Sequence, residues 1–412
     1  MKPRFFLKIG AAAVSLLLAT GPAFSGTPGE MPGQRFEVKF EDLPGPSTDS
    51  PANSSETIAR PANATLRVPE GFSVKLFADN LPGARWLAVA PNGDVFLAQA
   101  KENKITLLRD ADGDGAAEMR EIFADGLERP HGLAFHGGSL YTGDLNGVWR
   151  IAYTNGALRA GDRTQVTPQG AFGEKAGNHW TRNIAFSPDG KYFFVAIGSA
   201  SNTAEDPSPR ATVQRFNADG SGQTTFASGV RNAVGIAFYP GTNDLYVVVN
   251  ERDGLGDKLV PDYLTHLQEG AFYGWPYAYL GSHADPDYGA RKPDMVAKAV
   301  APDLLFEAHS APLGLVFYEG EQFPAEYKGD AFVALHGSWN AGVPTGYKVV
   351  RVEFENGRPK GGYENFATGF WETGTDTAQV WGRPAGLAIA KDGSLLIADD
   401  AGKAVWRVSY GK

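Results

Sequence analysis

From residue 70 to the C-terminus the chain repeats one pattern: an apolar run, a turn often marked by Asp-Gly or Asn-Gly, then a second apolar run. The first runs read Trp86-Leu-Ala-Val89, Gly132-Leu-Ala-Phe135, Asn183-Ile-Ala-Phe186, Gly235-Ile-Ala-Phe238, Gly314-Leu-Val-Phe317 and Gly386-Leu-Ala-Ile389. Their partners include Val95–Leu97, Tyr192–Val195, Leu245–Val249 and Leu395–Ile397. A third run follows in several units, as in Val148–Ile151, Lys348–Val352 and Ala404–Val408. A fourth is signalled by a recurring phrase at Phe77–Leu81, Phe123–Leu127, Phe226–Val230 and Phe366–Phe370. Units begin 46, 51, 52, 79 and 72 residues apart. Four strands per repeat at this period predict an all-β, six-bladed β-propeller with four-stranded antiparallel blades. The two long intervals predict insertions around 251–302 and 339–346, where a rigid scaffold tends to carry function.

Composition agrees with many short strands and turns. The chain holds 51 Gly and 27 Pro yet is 42% hydrophobic, too apolar for disorder and too Gly-rich for a helical fold. Residues 1–25 read as a signal peptide: Lys2, Arg4 and Lys8, then the apolar run Ile9–Thr20, then Ala23-Phe24-Ser25 as a small-x-small cleavage site. The expectation is a periplasmic or secreted protein with no membrane span in the mature chain. Residues 26–66 are rich in Pro, Ser, Asn and Ala and predict a flexible lead-in, and 67–412 form the catalytic domain. With no cysteine, stability in an oxidising space rests on the core or on metal.

Charge sharpens the picture. In a propeller the innermost strands line the axis, so residues just before them ring one channel mouth. Those positions hold Arg85, Arg129, His131, His179, Arg182, Arg231, Asn232, His309 and Arg383, in a chain whose net charge is −9. Like charges crowded at an axis repel unless an anion sits among them. The planar fork of Arg suits a carboxylate or phosphate. Nucleic acid is excluded by the acidic balance and by the lack of a basic stripe elsewhere. The expected ligand is a small polyanion.

Several phrases carry a family resemblance: Asn178-His179-Trp-Thr-Arg182, Arg231-Asn232, Asn250-Glu-Arg-Asp-Gly-Leu-Gly-Asp257, Phe272-Tyr-Gly-Trp-Pro276, and His336-Gly-Ser-Trp-Asn340 with Gly346-Tyr-Lys348. The chain resembles the soluble sugar dehydrogenases that carry pyrroloquinoline quinone (PQQ), especially the L-sorbosone dehydrogenase-like branch, over about residues 70–410. The resemblance implies a sugar or sugar-derived alcohol or aldehyde as substrate, with hydride passing to PQQ and His179 acting as general base. It implies cofactor contacts from Arg231, Asn232 and Arg383, with Lys348 as a substitute for the family lysine. Blade register adds Arg129, His131 and Arg182. Ala385 stands where the family has a second clamping Arg. The resemblance also implies a cofactor Ca²⁺ on the backbone carbonyls of Asp253 and Gly254. Electrons then leave to an external acceptor, because no Cys-x-x-Cys-His haem motif is present.

A second calcium candidate stands on its own residues. Asp110-Ala-Asp112-Gly-Asp114-Gly115 followed by Glu121 fits the Asp-x-Asp-x-Asp-Gly-x₅-Glu loop, between strand-like flanks rather than helices. An acidic hairpin turn without metal is the plainer alternative. Two other function classes compete with the dehydrogenase. One is a calcium-dependent lactonase-type hydrolase, disfavoured by Arg and His at the axis. The other is a non-catalytic ligand-binding propeller, which the fold alone leaves open.

Overall fold

The computed structural model of the chain describes residue 1 and residues 31–49, 51–174 and 178–411. Apart from Met1, the expected signal peptide lies outside the described residues.

Among the described residues, each repeat unit forms its own antiparallel sheet. The first is Ala84–Val89, Val95–Gln99, Lys104–Arg109 and Met119–Ala124. The second is Leu133–His136, Ser139–Gly143, Val148–Ala152 and Arg163–Gln165. The third is Ile184–Phe186, Tyr192–Ile197, Thr212–Asn217 and Thr224–Ser228. The fourth is Asn232–Phe238, Leu245–Asn250, Pro261–His266 and Leu304–Ala308. The fifth is Pro312–Phe317, Ala331–Leu335, Lys348–Val352 and Tyr363–Ala367, with Arg35–Phe36 added at its outer edge. The sixth draws on both ends of the chain. Pro384–Ile389, Leu395–Asp399 and Ala404–Tyr410 are completed by Phe72–Ala78, with Phe72 opposite Tyr410 and Val74 opposite Val408. Pairing first and last strands leaves neither with an open edge on that side.

The first strands adjoin one another in chain order, and the first strand of the sixth sheet adjoins that of the first. Their approach explains the repeated glycine. A Cβ on Gly132 would lie 2.6 Å from the Arg182 carbonyl, and one on Gly386 2.6 Å from that of Arg85. Register shifts at Ala84/Trp86, Ala233/Ile236, Pro312/Leu315 and Pro384/Leu387 bend the entries to these strands, as bulges do. Between sheets the core is packed with aliphatic and aromatic side chains, for example Phe332, Phe366, Phe323 and Leu395 in one cluster.

Two expectations change. The interval 251–302 is not a free insertion: it includes the third strand of the fourth sheet, Pro261–His266, then the Ala278–Tyr279/His283–Ala284 hairpin and the helix Pro293–Lys298. The lead-in, expected to be flexible, is held along the body wherever it is described. Ser47 N–H donates to Leu255 O (2.9 Å), Asn53 N–H to Trp339 O (2.7 Å), and Glu56–Thr57 pairs in parallel with Gln379–Val380. Its backbone N–H groups satisfy loop carbonyls at the surface, which composition alone does not reveal.

Candidate functional site

Most of the residues entering the first strands converge on one polar cavity of about 670 Å³. Arg85, Arg129, His179, Arg231, Asn232, His309 and Arg383 all line it. Asp253 joins them from the turn after the fourth sheet's second strand.

His179 is held in the left-handed backbone region at φ 44°, which non-Gly residues seldom occupy. Its Nδ1 meets two oxygens of Ser199, the carbonyl at 3.0 Å and Oγ at 2.8 Å. The carbonyl only accepts, and the Ser199 hydroxyl proton is already given to Ser201 O at 2.6 Å. Nδ1 therefore carries the ring proton, and the lone pair is left on Nε2. Burial, reinforced by the Arg231 charge, brings the imidazole pKa down to about 3, so the ring is neutral near neutral pH.

The cations are less free than their register suggested. Arg85 donates to Asp400 Oδ2 at 2.6 Å and lies 3.3 Å from His336 Nε2, which in turn is 2.9 Å from Asp400 Oδ1. Burial and then Arg383 bring His336 down to about 4. Against burial, His336 and Arg85 hold the Asp400 carboxyl far below its usual range. Arg231 is pinned by the carbonyls of Asn202, Asn250 and Glu251 and by Asn202 Oδ1, with Asp253 at 3.6 Å. Arg383 grips the carbonyls of His336 (3.0 Å) and Gly337 (2.8 Å) through Nε and Nη2. Arg129 has no carboxylate partner among the described residues and lies 4.2 Å above the Trp180 ring. Trp180 is thereby flanked by two guanidinium groups, with Arg85 at 5.5 Å.

One side of the cavity is acidic and rich in oxygen. His309 Nε2 donates to Gly256 O (3.0 Å) while Nδ1 lies 3.4 Å from Asp253 Oδ1. Against burial, Asp253 raises the His309 pKa, and His309 and Arg231 keep Asp253 ionised below its usual value. Burial pushes Glu251 up to about 7 and Asp262 up to about 6. Asn232 Oδ1, Glu251 Oε1 and Asn340 Oδ1, all on cavity-lining residues, have no hydrogen-bond donor among the described residues.

Other expected members lie elsewhere. His131 and Arg182 are buried behind the cavity and do not line it. Arg182 donates to the carbonyls of His179 (2.9 Å) and Thr181 (2.7 Å), so it supports the His179 turn from behind. His131 packs between Trp86 and Trp180. Lys348 does not reach the cavity. It sits in mid-sheet, 4.1 Å from the Phe36 ring and 3.8 Å from Glu307, because its third strand is two strands removed from the axis. The Asp253 carbonyl already accepts from Asn202 Nδ2 (3.1 Å) and Arg252 Nε (3.2 Å), and Gly254 does not line the cavity. It is the Asp253 side chain that enters. Within the two expected insertions, Glu251, Asp253, Asp262, Trp339 and Asn340 line the cavity and 266–288 does not; that segment packs behind, with Trp275 Nε1 donating to Asn202 O at 3.0 Å.

In the second calcium candidate, Asp110, Asp112 and Asp114 cluster with Glu118, not Glu121. Glu121 is already in a strand, where it faces Arg159 at 3.7 Å. Lys75 and Arg407 pair with Asp114 (2.9 Å) and Asp110 (3.3 Å).

Sequence reasoning missed Asn202, Glu251, Asp262, His336 and Asp400. A signal existed. In an antiparallel sheet the end of the second strand faces the start of the first, as Asn232 opposes Asn250 and Pro384 opposes Asp399. Residues just after the second strands, Glu251, His336 and Asp400 among them, therefore reach the same mouth, and of that set only Asp253 and Gly254 were counted; Asp262 comes instead from the third strand of the fourth sheet.

Fold and site together define the class: an all-β protein of antiparallel, mostly four-stranded sheets, with one polar site where the first strands begin. The family model described as TrAA12-like matches residues 66–266 and 285–411, and the chain belongs to that family. It is 26% identical over 338 residues to the pyrroloquinoline quinone-dependent pyranose dehydrogenase of Coprinopsis cinerea. That match covers 70% of this chain and 44% of the relative, so the chain spans less than half of that relative's length. Its fold is similar to the holo PQQ domain of pyranose dehydrogenase from Coprinopsis cinerea, with TM-score 0.71, 21% identity, and coverage of 86% of this chain and 100% of that one. It is also similar to the PQQ-bound aldose sugar dehydrogenase of Streptomyces coelicolor, with TM-score 0.59, 18% identity, and coverage of 83% and 99%. The structural likenesses establish the fold.

Proposed function

We propose that the protein is a PQQ-dependent oxidoreductase, a periplasmic or secreted six-bladed propeller that oxidises a sugar hydroxyl in the axial cavity. The observation that carries the reading is His179: a neutral imidazole whose proton is fixed on Nδ1 by Ser199, beside cations suited to an anion. Family membership and the names of the relatives support sugar as the substrate class, pyranoses and aldoses first. Bound PQQ would supply a two-electron acceptor for the hydride lost by the sugar carbon.

The residues present fit such a group. Arg129, which lacks a carboxylate, and the Nη1 of Arg383, which has no acceptor among the described residues, are the donors available to a tricarboxylate. Arg85 and Arg231 add charge but are already tied. Calcium would draw on oxygens other than those expected: the ionised Asp253 carboxylate and the Asn232, Glu251 and Asn340 oxygens, which lack donors among the described residues, are of the hard type it takes. In the reaction His179 Nε2 accepts the hydroxyl proton, and Ser199 steadies the imidazolium through Nδ1. An external acceptor then takes the electrons.

The test is reconstitution of the purified protein with PQQ and Ca²⁺, followed by dye reduction with aldoses, other pyranoses and sorbosone. Quinone absorbance on the protein with sugar-dependent dye reduction is expected. Neither signal appearing would end this reading. The pattern across sugars decides between the pyranose and sorbosone readings.

A further inference from the structure

Resting on the dehydrogenase reading, we infer that the N-terminal lead-in is a positioning strap for the cavity rim, and that Asn53 is its anchor. The rim arm runs from Gly337 to Gly346 and carries Trp339 and Asn340, both lining the cavity. Ser338, Asn340 and Ala341 are buried, but Trp339 is 53% exposed and Val343 73% exposed, so the arm's largest apolar side chains gain little from burial. It is closed at its base by the Ser338 and Thr345 backbone, Ser338 N–H to Thr345 O at 2.9 Å, with Thr345 N–H to Ser338 Oγ at 3.1 Å. Beyond that base its outer carbonyls are taken up by a residue about 290 positions earlier in sequence. Asn53 N–H donates to Trp339 O at 2.7 Å, and Asn53 Nδ2 lies 2.9 Å from Ala341 O and 3.4 Å from Gly342 O. The same Nδ2 reaches Asp376 O at 2.7 Å, and Asn53 Oδ1 accepts from Thr377 Oγ1 at 3.0 Å.

One side chain thus fastens the arm to the segment before Gln379–Val380, with which the strap itself pairs. The strap also reaches the acidic side of the cavity. Ser47 N–H donates to Leu255 O at 2.9 Å, and a Cβ on Gly256 would lie 2.7 Å from Ser47 Oγ. Gly256 O is the acceptor that orients His309. Between the two grips, a Cβ on Gly342 would meet Asp257 Oδ2 at 2.5 Å, so the arm and the 251–257 turn are in direct contact. An arm that presents an exposed tryptophan holds a substrate only if it is preorganised; otherwise ordering it opposes binding. Asn53 acts through the arm and touches no substrate.

The experiment compares the full chain with Asn53→Ala and Asn53→Asp, each alone and in a Trp339→Ala background. Asn53→Asp keeps the shape and the Thr377 bond but loses the Nδ2 donors. Amide exchange at Ser338 and Thr345, measured without cofactor, is expected to quicken about 3- to 10-fold in both variants, as loss of one or two hydrogen bonds implies. In reconstituted enzyme KM for the sugar should rise by roughly the same factor while kcat and the PQQ titration stay put. With Trp339→Ala present the rise should vanish, since the side chain that the anchor places against the sugar is then gone. Unchanged exchange in both variants overturns the anchor. Faster exchange with an unchanged KM, or a KM change that persists without Trp339, overturns the positioning role. Absence of turnover in the unaltered protein is a different failure: it removes the dehydrogenase reading and with it the KM claim, while the exchange data still decide whether Asn53 holds the arm.

Discussion

Replacing His179 with Asn isolates the proposed proton acceptor with little structural cost. The Asn amide N–H can stand in for Nδ1 against Ser199, and Asn tolerates the positive φ of 44° better than most residues. What it lacks is the acceptor nitrogen that Nε2 provides. A positioned general base contributes roughly 10²- to 10⁴-fold, or about 3–5 kcal/mol of barrier, so kcat should fall by that factor. The PQQ titration and the unfolding midpoint should stay near those of the unaltered protein. The pH profile adds a second constraint. With its pKa lowered to about 3, the imidazole stays in its proton-accepting form from pH 8 down to pH 5. An ordinary imidazole at 6.5 would be mostly protonated at pH 5 and would cost roughly 30-fold there. Stopped-flow dye reduction at saturating sugar reads both quantities. Retention of more than a tenth of kcat with cofactor fully bound refutes the base role. So does a rate limb near pH 6.5 that disappears on substitution, because it would show His179 titrating where burial should forbid it.

Four further outcomes follow from the same geometry. Arg383→Ala and Arg129→Ala should each weaken PQQ binding about 10- to 100-fold in an absorbance titration, as loss of a charge-assisted hydrogen bond implies, whereas Lys348→Ala should not change it. Asp400→Asn removes the charge between Arg85 and His336 and should destabilise the fold by about 1–3 kcal/mol in urea unfolding, the cost of leaving a partly buried charge without its partner; no measurable loss would mean the pair is solvated. If the Asp110–Glu118 loop takes calcium, Ca²⁺ at a hundred times its Kd should add about 3 kcal/mol of stability. Glu118→Gln should remove that gain and Glu121→Gln should not, while identical melting with calcium and chelator would show a plain acidic turn.

Much of the scaffold was legible from periodicity. Strand pairs and their order are local consequences of alternating apolar runs, whereas the close approach that leaves no room for a Cβ at Gly132 and Gly386 is made between sheets. The convergence of Arg85, Arg129, His179, Arg231, His309 and Arg383 on one cavity follows from their place at or just before the first strand of each unit, although the offset differs from unit to unit. Their chemistry did not. Whether a guanidinium is free depends on partners far along the chain: Asp400 is 315 residues from Arg85, and the carbonyls holding Arg231 come from a neighbouring turn. Lys348 was expected at the cofactor as a substitute for the family lysine, but the strand that bears it is the third of its sheet, two strands from the one that enters at the cavity. The lead-in was the largest misreading, since polar, Pro-rich composition records what a segment is made of and not which carbonyls await it. Repetition in the sequence thus determined where the site would be, because every unit folds by its own short-range pattern. Only the tertiary structure decided which of those side chains are paired, which face the cavity and which are held from outside, because hydrogen bonds and charges are shared across sheets that the sequence separates by hundreds of residues.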